Sequence, residues 1–285
     1  MNVNCQKTLK KELVFSGKGI FSGRDSVVRL IPAPPCTGIV FKRVDLEGAP
    51  LIPAGLDSVR PSARCTQVGE GDAGILTVEH LMAALKGADI DNLYVEVAGP
   101  EIPILDGSSL PFSQLIQFAG VLEQDQERVV YKLLAPLSWS QGDTHIIALP
   151  SEEYRISYTL HYPQSPYLGS QYYSYVVNAE NFLKEIAPSR TFALYEEIEL
   201  LMQKGILKEG ASLENGVVIK GNQVLNPEGV RFPDEMVRHK ILDMIGDLSL
   251  IGFPFVAHII AIKSGHAANY HFGKELKNML TRSAI

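Results

Sequence analysis

The sequence predicts an α+β protein made of two similar domains that face each other across a cleft. Short apolar strands separated by turn residues dominate both halves of the 285-residue chain, and only a few segments have helical spacing. The order of strands and helices in the first half recurs in the second. A polar connector, VLEQDQERVV, lies between the two halves, and a chain of this length is long enough for two domains of ordinary size.

The first domain is predicted to span residues 1–124. Its strands are ELVFSGKGIFSG, SVVRLIPA, GIVFKRVDL and NLYVEVAG. TVEHLMAALKGADIDN has helical spacing, with Thr77 as the expected N-cap and Gly87 as the expected end. SSLPFSQLIQFAG predicts a second helix, capped by Ser108 or Ser109 and with Pro111 in its first turn.

The second domain is predicted to span residues 125–285. Its elements follow a similar order: the strands VVYKLLAPLSWS, THIIALP and YRISYTLHY, the helix NAENFLKEIA, an insertion, the helix RHKILDMIGD and the strand FVAHIIAIKSG. The insertion, near 193–225, contains an amphipathic helix, ALYEEIELLMQKGIL, and a strand pair around GVVIKGNQVL. This helix either packs on the core or forms a lid or wall for an apolar ligand.

Composition excludes several functional classes. The net charge of −6 argues against a nucleic-acid-binding protein, which would carry a basic excess. No apolar run has the length of a signal peptide or of a membrane-spanning helix. Three cysteines without CxxC spacing make a disulfide framework unexpected. We therefore predict a cytoplasmic protein without an integral membrane segment.

The segment RHKILDMIGD places three ionisable groups on an otherwise apolar helix. His239, Asp243 and Asp247 are spaced four residues apart and fall within a stripe of about 80°. A histidine and an aspartate at this spacing can bind one metal ion, and this donor set suits Zn²⁺ or Fe²⁺. Taken alone, the pair is equally consistent with a helix salt bridge.

Two further segments carry candidate chemistry. Glu79 and His80 begin the helix in TVEHLMAAL; alone, His80 is read as a core histidine, but with His239 and Asp243 it completes a three-ligand metal site that leaves a position for water. Glu79 would then be the general base. His266 follows a strand that ends in Ser-Gly, and a facing Asp247 carboxylate would raise the pKa of its imidazole.

The segments TVEHLMAAL, APSRTFAL, VRHKILDMIGDLSL and KSGHAAN, in this order, closely resemble the zinc-dependent UDP-3-O-acyl-N-acetylglucosamine deacetylases of lipid A biosynthesis. The resemblance covers essentially the whole chain. It implies removal of an N-acetyl group from a UDP-linked acylated glucosamine, with release of acetate and one Zn²⁺ per chain. It also implies a layered β-α-α-β sandwich with one insert per domain, the second insert forming a passage for the acyl chain.

The resemblance assigns roles residue by residue. His80, His239 and Asp243 match the zinc ligands; Glu79 matches the general base, His266 the protonated histidine paired with Asp247, and Thr191 the oxyanion-stabilising hydroxyl; Lys240 and Lys263 match cations near the diphosphate, Phe192 the mouth of the acyl passage, and Tyr162 an aromatic residue near the nucleotide. Either Glu79 or His266 protonates the leaving amine. Phe21 stands in GKGIFSG where the family usually has histidine.

Two alternative functions remain at this point. One is a zinc amidohydrolase that acts on another acylated or nucleotide sugar. The other is a non-catalytic module that binds a nucleotide sugar. We predict a monomer in either case.

Overall fold

The computed structural model describes residues 5–62, 64–207 and 210–282, which form six α-helices and 19 strands. The helices are α1 (Glu79–Gly87), α2 (Leu110–Ala119), α3 (Ala179–Glu185), α4 (Tyr195–Gln203), α5 (Glu235–Ser249) and α6 (His266–Met279). The strands are β1 (Cys5–Leu9), β2 (Leu13–Lys18), β3 (Asp25–Pro32), β4 (Ile39–Arg43), β5 (Leu51–Pro53), β6 (Val59–Arg60), β7 (Gln67–Val68), β8 (Leu93–Ala98), β9 (Val121–Glu127), β10 (Tyr131–Leu133), β11 (Leu137–Gln141), β12 (Thr144–Leu149), β13 (Tyr154–Tyr162), β14 (Gly169–Val176), β15 (Phe192–Leu194), β16 (Val217–Lys220), β17 (Gln223–Val224), β18 (Phe255–Ile262) and β19 (Leu280–Arg282).

The two halves of the chain build sheets of the same topology. The first sheet has the order β2-β3-β8-β4-β5, in which only the β4–β8 pair is parallel. In the second sheet β11-β12-β18-β13-β14 follow the same order, and only the corresponding β13–β18 pair among these five strands is parallel. Strands β10 and β19 extend the second sheet beside the start of β18. The predicted α+β fold of two similar units is confirmed.

Each sheet buries one face because apolar residues alternate along its strands. In β18 the side chains of Phe255, Ala257, Ile259 and Ala261 are buried, and those between them are partly exposed. The period of two residues gives the strand one apolar face. Full burial of a side chain such as Ile259 contributes about 1.5–3 kcal/mol. This burial fixes the sheet against the helices that carry the site.

Helices α1 and α5 are topologically equivalent and pack against each other between the sheets, each preceding the central strand of its half. Gly246 of α5 lies against the first turn of α1. A Cβ atom at position 246 would lie 2.1 Å from the carbonyl oxygen of Glu79, so any other residue would force the helices apart. The two helices are therefore in backbone contact at this glycine.

The start of α1 differs from the prediction, whereas its end at Gly87 is as expected. Thr77 does not cap the helix, which begins at Glu79 after Val78. Thr77 instead has a φ of 59°, and its hydroxyl donates to Glu101 Oε1 at 2.8 Å. This left-handed residue turns the chain into the helix.

The segment predicted as a connector forms strand β9, and the predicted insert contains a helix and a strand pair. The boundary between residues 124 and 125 falls within β9, which pairs antiparallel with β1, and it remains a prediction. Helix α4 and the β16–β17 pair occupy the insert near 193–225. In the part of the chain that the structure describes, no helix is both long enough and apolar enough to cross a membrane.

Candidate active site

Two helices bring three ligand atoms together in the protein interior. His239 and Asp243 lie one turn apart on α5, with Nε2 and Oδ1 separated by 3.1 Å. His80, in the first turn of α1, places its Nε2 3.7 Å from the same Asp243 oxygen. All three side chains are buried. The row of polar residues on α5 therefore meets the start of α1.

This group of atoms fits a metal ion. Its ligand atoms lie within 4.8 Å of one another, and tetrahedral Zn²⁺ with bonds near 2.0–2.1 Å needs separations of roughly 3.3 Å. Asp243 Oδ1, the oxygen that both histidines face, is buried and has no hydrogen-bond partner among the described residues. Such atoms are costly to bury unless they have a partner, and two imidazoles with a carboxylate are a donor set that suits a divalent transition metal.

The protonation states also fit. Burial lowers the pKa of His239, although Asp243 opposes this effect, so the imidazole is neutral. Its Nδ1–H donates to the Ser189 carbonyl at 3.1 Å and leaves the Nε2 lone pair facing Asp243. Burial acts to raise the pKa of Asp243, but the Lys240 ammonium, which donates to its Oδ2, holds it well below its ordinary value.

A buried ion pair fixes the loop that supplies the Ser189 carbonyl. Arg190 donates from its backbone N and its Nε to Glu235 Oε1 at 3.0 and 2.9 Å. Glu235 is fully buried in the first turn of α5 and also accepts from Arg231 N. The loop carrying Ser189 and Thr191 is therefore tied to the start of the helix that carries His239.

Glu79 lies on the other side of His80 and is almost fully buried. Its Oε2 accepts a hydrogen bond from Thr66 N at 3.0 Å, and its Oε1 is 3.8 Å from His266 Nε2. Burial raises the pKa of Glu79 to about 7, while the charge of His266 opposes the rise. A carboxylate with this pKa can both accept and release a proton near neutral pH.

His266 begins α6 and is held by a carboxylate. Its Nδ1–H donates to Asp247 Oδ2 at 2.9 Å, and Asn269 donates to the same oxygen at 2.8 Å. Burial acts to lower the pKa of His266, but the charge and hydrogen bond of Asp247 outweigh it and raise the pKa to about 10. The imidazole is therefore a cation at neutral pH, as the pairing in the sequence predicts.

A cavity of about 760 Å³ opens from these groups. Thr191, Phe192, Tyr162, Lys240 and Lys263 all line it. The rings of Phe192 and Tyr162 meet edge to face at 5.9 Å between centroids. Lys240 Nζ donates to Asp243 Oδ2 at 2.6 Å, and Lys263 Nζ to the exposed Asp143 at 3.1 Å. The structure thus brings all eleven predicted site residues to one cavity or to its immediate support.

The inserted helix α4 forms one wall of this cavity. Ile198 and Leu201 of α4, with Leu207 after it, line the space, and none of the α4 residues is fully buried. A helix packed on the core would bury a face. The exposure of α4 favours a wall beside an apolar ligand over packing on the core, and the role of the insert remains a prediction. Phe21 also lines the cavity.

Comparison with known proteins decides the family. The model of the UDP-3-O-acyl N-acetylglycosamine deacetylase family (LpxC) matches residues 6–278. The chain belongs to this family. Three proteins named UDP-3-O-acyl-N-acetylglucosamine deacetylase are similar to it: one from Chlamydia pneumoniae is 50% identical over 96% of this chain and 98% of its own length. One from Chlamydia felis is 51% identical over 95% and 96%, and one from Chlamydia trachomatis serovar L2 is 44% identical over 97% and 96%.

Membership of the LpxC family confirms the resemblance seen in the sequence and makes the chain an amide hydrolase of the deacetylase type in lipid A biosynthesis. The family is metal-dependent, and the buried triad is a possible site for the ion. The individual roles assigned to the eleven residues remain predictions.

Two residues that support this LpxC site, Thr66 and Asn269, were not predicted from the sequence. The Thr66 hydroxyl donates to Asp247 Oδ1 at 2.6 Å, and its backbone N–H donates to Glu79. Thr66 therefore connects the predicted base with the carboxylate that holds His266. Asn269 could have been found, because it lies one turn after His266 in the same helix. Thr66 precedes Asp247 by 181 residues. No local pattern connects the two.

Proposed function

We propose that the chain hydrolyses the N-acetyl amide of UDP-3-O-acyl-N-acetylglucosamine with one Zn²⁺ held by His80, His239 and Asp243. The observation that carries the proposal is a buried triad of two imidazoles and a carboxylate. Beside it lie a further carboxylate, Glu79, and the protonated imidazole of His266, 3.8 Å apart. When bound, the ion would lower the pKa of a water molecule and polarise the amide carbonyl.

Glu79 is the proposed general base. It takes the proton from the attacking water, because its pKa of about 7 leaves a large ionised fraction near neutral pH. The hydrogen bond from Thr66 N holds one of its oxygens and leaves the other, Oε1, on the side of His266. Water adds to the carbonyl carbon, the carbon–nitrogen bond breaks, and acetate and a free amine are the products.

His266 and Thr191 are the proposed stabilisers of the oxyanion. The imidazolium of His266 offers Nε2–H, since Nδ1–H is used by Asp247. Thr191 lies on the loop fixed by Arg190 and Glu235 and lines the same cavity. Donors held in place before the reaction stabilise developing charge without reorganisation. His266 and Glu79 lie 3.8 Å apart, so either group can deliver the proton to the leaving amine.

The rest of the cavity accounts for the substrate. Ile198, Leu201 and Leu207 supply an apolar wall for the acyl chain, and Phe192 lies between this wall and His239, with 6.3 Å between ring centroids. Lys263 and Tyr162 lie near the proposed diphosphate and nucleotide ends. Lys240 is already paired with Asp243, which favours a role in holding that ligand in addition to contacting the diphosphate.

Metal removal tests this function directly. Chelation should abolish acetate release from UDP-3-O-acyl-N-acetylglucosamine, and one equivalent of Zn²⁺ should restore it. UDP-N-acetylglucosamine without the acyl chain should be a much poorer substrate, because the apolar wall would be unused. Equal turnover of both sugars would favour an amidohydrolase of another nucleotide sugar. Binding without turnover by zinc-loaded protein would favour a non-catalytic module. The cytoplasmic location and the monomeric state remain predictions.

A further inference from the structure

A second cavity of about 650 Å³ lies at the opposite end of helix α1 from the active site. Lys86 lines this cavity six residues after His80, roughly 9 Å further along the helix. The loop after α5, with Ile251 and Phe253, forms the opposite wall. The first cavity therefore lies at the N-terminal end of α1 and this one at its C-terminal end.

Cations dominate the charge of this second cavity. Lys86, Lys277 and Arg282 line it, and none of them forms an ion pair with any residue in the described ranges. A fourth cation, Arg128, is neutralised by Asp89 and by Asp91, which also lines the cavity. Glu127 is the other carboxylate in the lining. The lining therefore holds four cations and two carboxylates, an excess of two positive charges in a chain whose net charge is −6.

Lys86 is the innermost of these cations. It is partly buried, and its Nζ lies over the face of the Tyr154 ring, 5.8 Å from the centroid. Burial, with the nearby charge of Arg128, lowers the pKa of Lys86 to about 8 against the opposing charges of Asp89 and Asp91. A partly buried ammonium group without an acceptor is unfavourable, and an anion would stabilise it.

The remaining lining is apolar and partly aromatic. The rings of Tyr131 and Phe253 pack against each other in a tilted arrangement, with 4.1 Å between centroids and 31° between planes. Met82, Leu85 and Ile90 line the same space. A ligand that fills it needs an apolar or aromatic body in addition to an anionic group.

We propose that this cavity binds an organic phosphate monoester, with its phosphate on Lys86 and the rim cations and its aromatic or apolar body against Tyr131 and Phe253. A phosphate monoester carries about −1.5 to −2 charges at neutral pH, which matches the excess of two positive charges, whereas a carboxylate carries one. The site is separate from the catalytic cavity and contains none of the proposed catalytic residues.

Phenyl phosphate is the probe for the test, with zinc-loaded protein and titration calorimetry. We expect saturable binding that Lys86→Met weakens by about tenfold or more, as the loss of a charge-assisted hydrogen bond predicts. The matched control is Lys274→Met, on the exposed side of α6 and outside the cavity. It should leave the affinity unchanged. Inorganic phosphate and benzoate should both bind more weakly than phenyl phosphate.

The alkylation rate of Cys36 can report ligand binding in this cavity, because Cys36 lines the cavity and is exposed. Phenyl phosphate should slow its alkylation by iodoacetamide, located by peptide mapping, in the wild type and not in Lys86→Met. Lys277→Met, at the rim, provides a second variant and should weaken binding by a smaller factor. Acetate release by the Lys86→Met enzyme should equal that of the wild type.

Four results would overturn the proposal. They are the absence of saturable binding, unchanged affinity in both lysine variants, alkylation of Cys36 that phenyl phosphate does not slow, and binding of inorganic phosphate or benzoate as tight as that of phenyl phosphate. The first three would exclude the site. The last would exclude the ligand class.

Discussion

The two halves of the molecule share a sheet topology but contribute unequally to the active site. Helix α1 brings Glu79 and His80 in its first turn, whereas the equivalent α5 presents His239, Asp243 and Asp247 over more than two turns. Helix α6 begins at His266 after β18, whereas α2, which follows β8, begins at Leu110 with Pro111. The two halves therefore share an arrangement of strands and helices, but the functional side chains on that arrangement differ.

The contact between α1 and α5 explains how unequal helices make one site. Gly246 allows α5 to meet the Glu79 carbonyl directly, so the two backbones are in contact at the level of the proposed catalytic groups. Side chains one turn away on α5 then reach across to His80. The shared fold fixes the backbones, and the side chains at the helix starts and on the α5 face determine the chemistry. Substitutions in each half can test this division.

The largest effect should come from removing a ligand from either half. His80→Ala in the first half and His239→Ala or Asp243→Ala in the second should each lose the metal and reduce acetate release to background, since two ligands are too few for tight binding. Metal content per chain, measured after gel filtration, checks this. Stoichiometric zinc in any one variant would remove that residue from the set, and in His80→Ala it would confine the site to the second half.

Glu79→Gln should have the next largest effect. The amide keeps the size of the side chain but accepts no proton, so we expect zinc to stay bound while kcat falls by about 10²- to 10⁴-fold. The matched control, Glu70→Gln, changes an exposed glutamate after β7 that pairs with Arg60 and should leave kcat unchanged. Full turnover by zinc-loaded Glu79→Gln would assign the base to another group.

The sequence predicts the parts of this site that depend on local spacing. The His239, Asp243 and Asp247 row follows from helical periodicity alone, and the pairing of Asp247 with His266 follows from the need to hold an imidazole beside a cleft. The repeat of strand and helix order predicts the two-unit fold, which the matching sheet orders confirm. Each of these features depends on residues that are near one another in the chain or on the order of strands and helices along it.

The remaining features depend on contacts between distant segments, which leave no periodic trace. Thr66 joins Glu79 and Asp247 through its backbone and its hydroxyl. Threonine is a common helix N-cap, yet Thr77 has a left-handed backbone and its hydroxyl donates to Glu101 instead of capping α1. The ion pair of Arg190 with Glu235 spans 45 residues. Such geometry appears only once the halves are packed.

Asp247→Asn should have an intermediate effect that depends on pH. Without the carboxylate, burial dominates and the pKa of His266 falls from about 10 to its ordinary value of about 6.5 or below. The imidazole would then be neutral at pH 8, and the alkaline limb of the kcat/KM profile should move to lower pH. A profile that keeps its alkaline limb would show that the charge of His266 is not required.

The same pair makes stability depend on pH with a definite sign. The pKa of His266 is raised on folding, so its contribution to the free energy of unfolding is complete below about pH 6.5. That contribution is lost as the pH rises through about 10. The difference in Tm between wild type and Asp247→Asn should therefore be largest near pH 6 and small above pH 10. A difference that does not change with pH would point to packing alone.

The smallest effect on turnover should come from the ion pair behind Ser189, where two glutamates bind the same arginine. Glu235→Gln leaves Arg190 buried without its main counter-charge and should lower the free energy of unfolding by about 3–5 kcal/mol. Because Glu235 acts on His239 only through Arg190 and the Ser189 carbonyl, kcat should fall less than the 10- to 100-fold typical for a direct partner of a ligand, and zinc should dissociate faster. Glu228→Gln removes the exposed partner of the same guanidinium, and it should lower the free energy of unfolding much less, because an exposed ion pair is screened by solvent. Zinc release followed with a chromogenic chelator separates the two variants. Equal release rates would mean that the loop holds the Ser189 carbonyl in place without the buried pair.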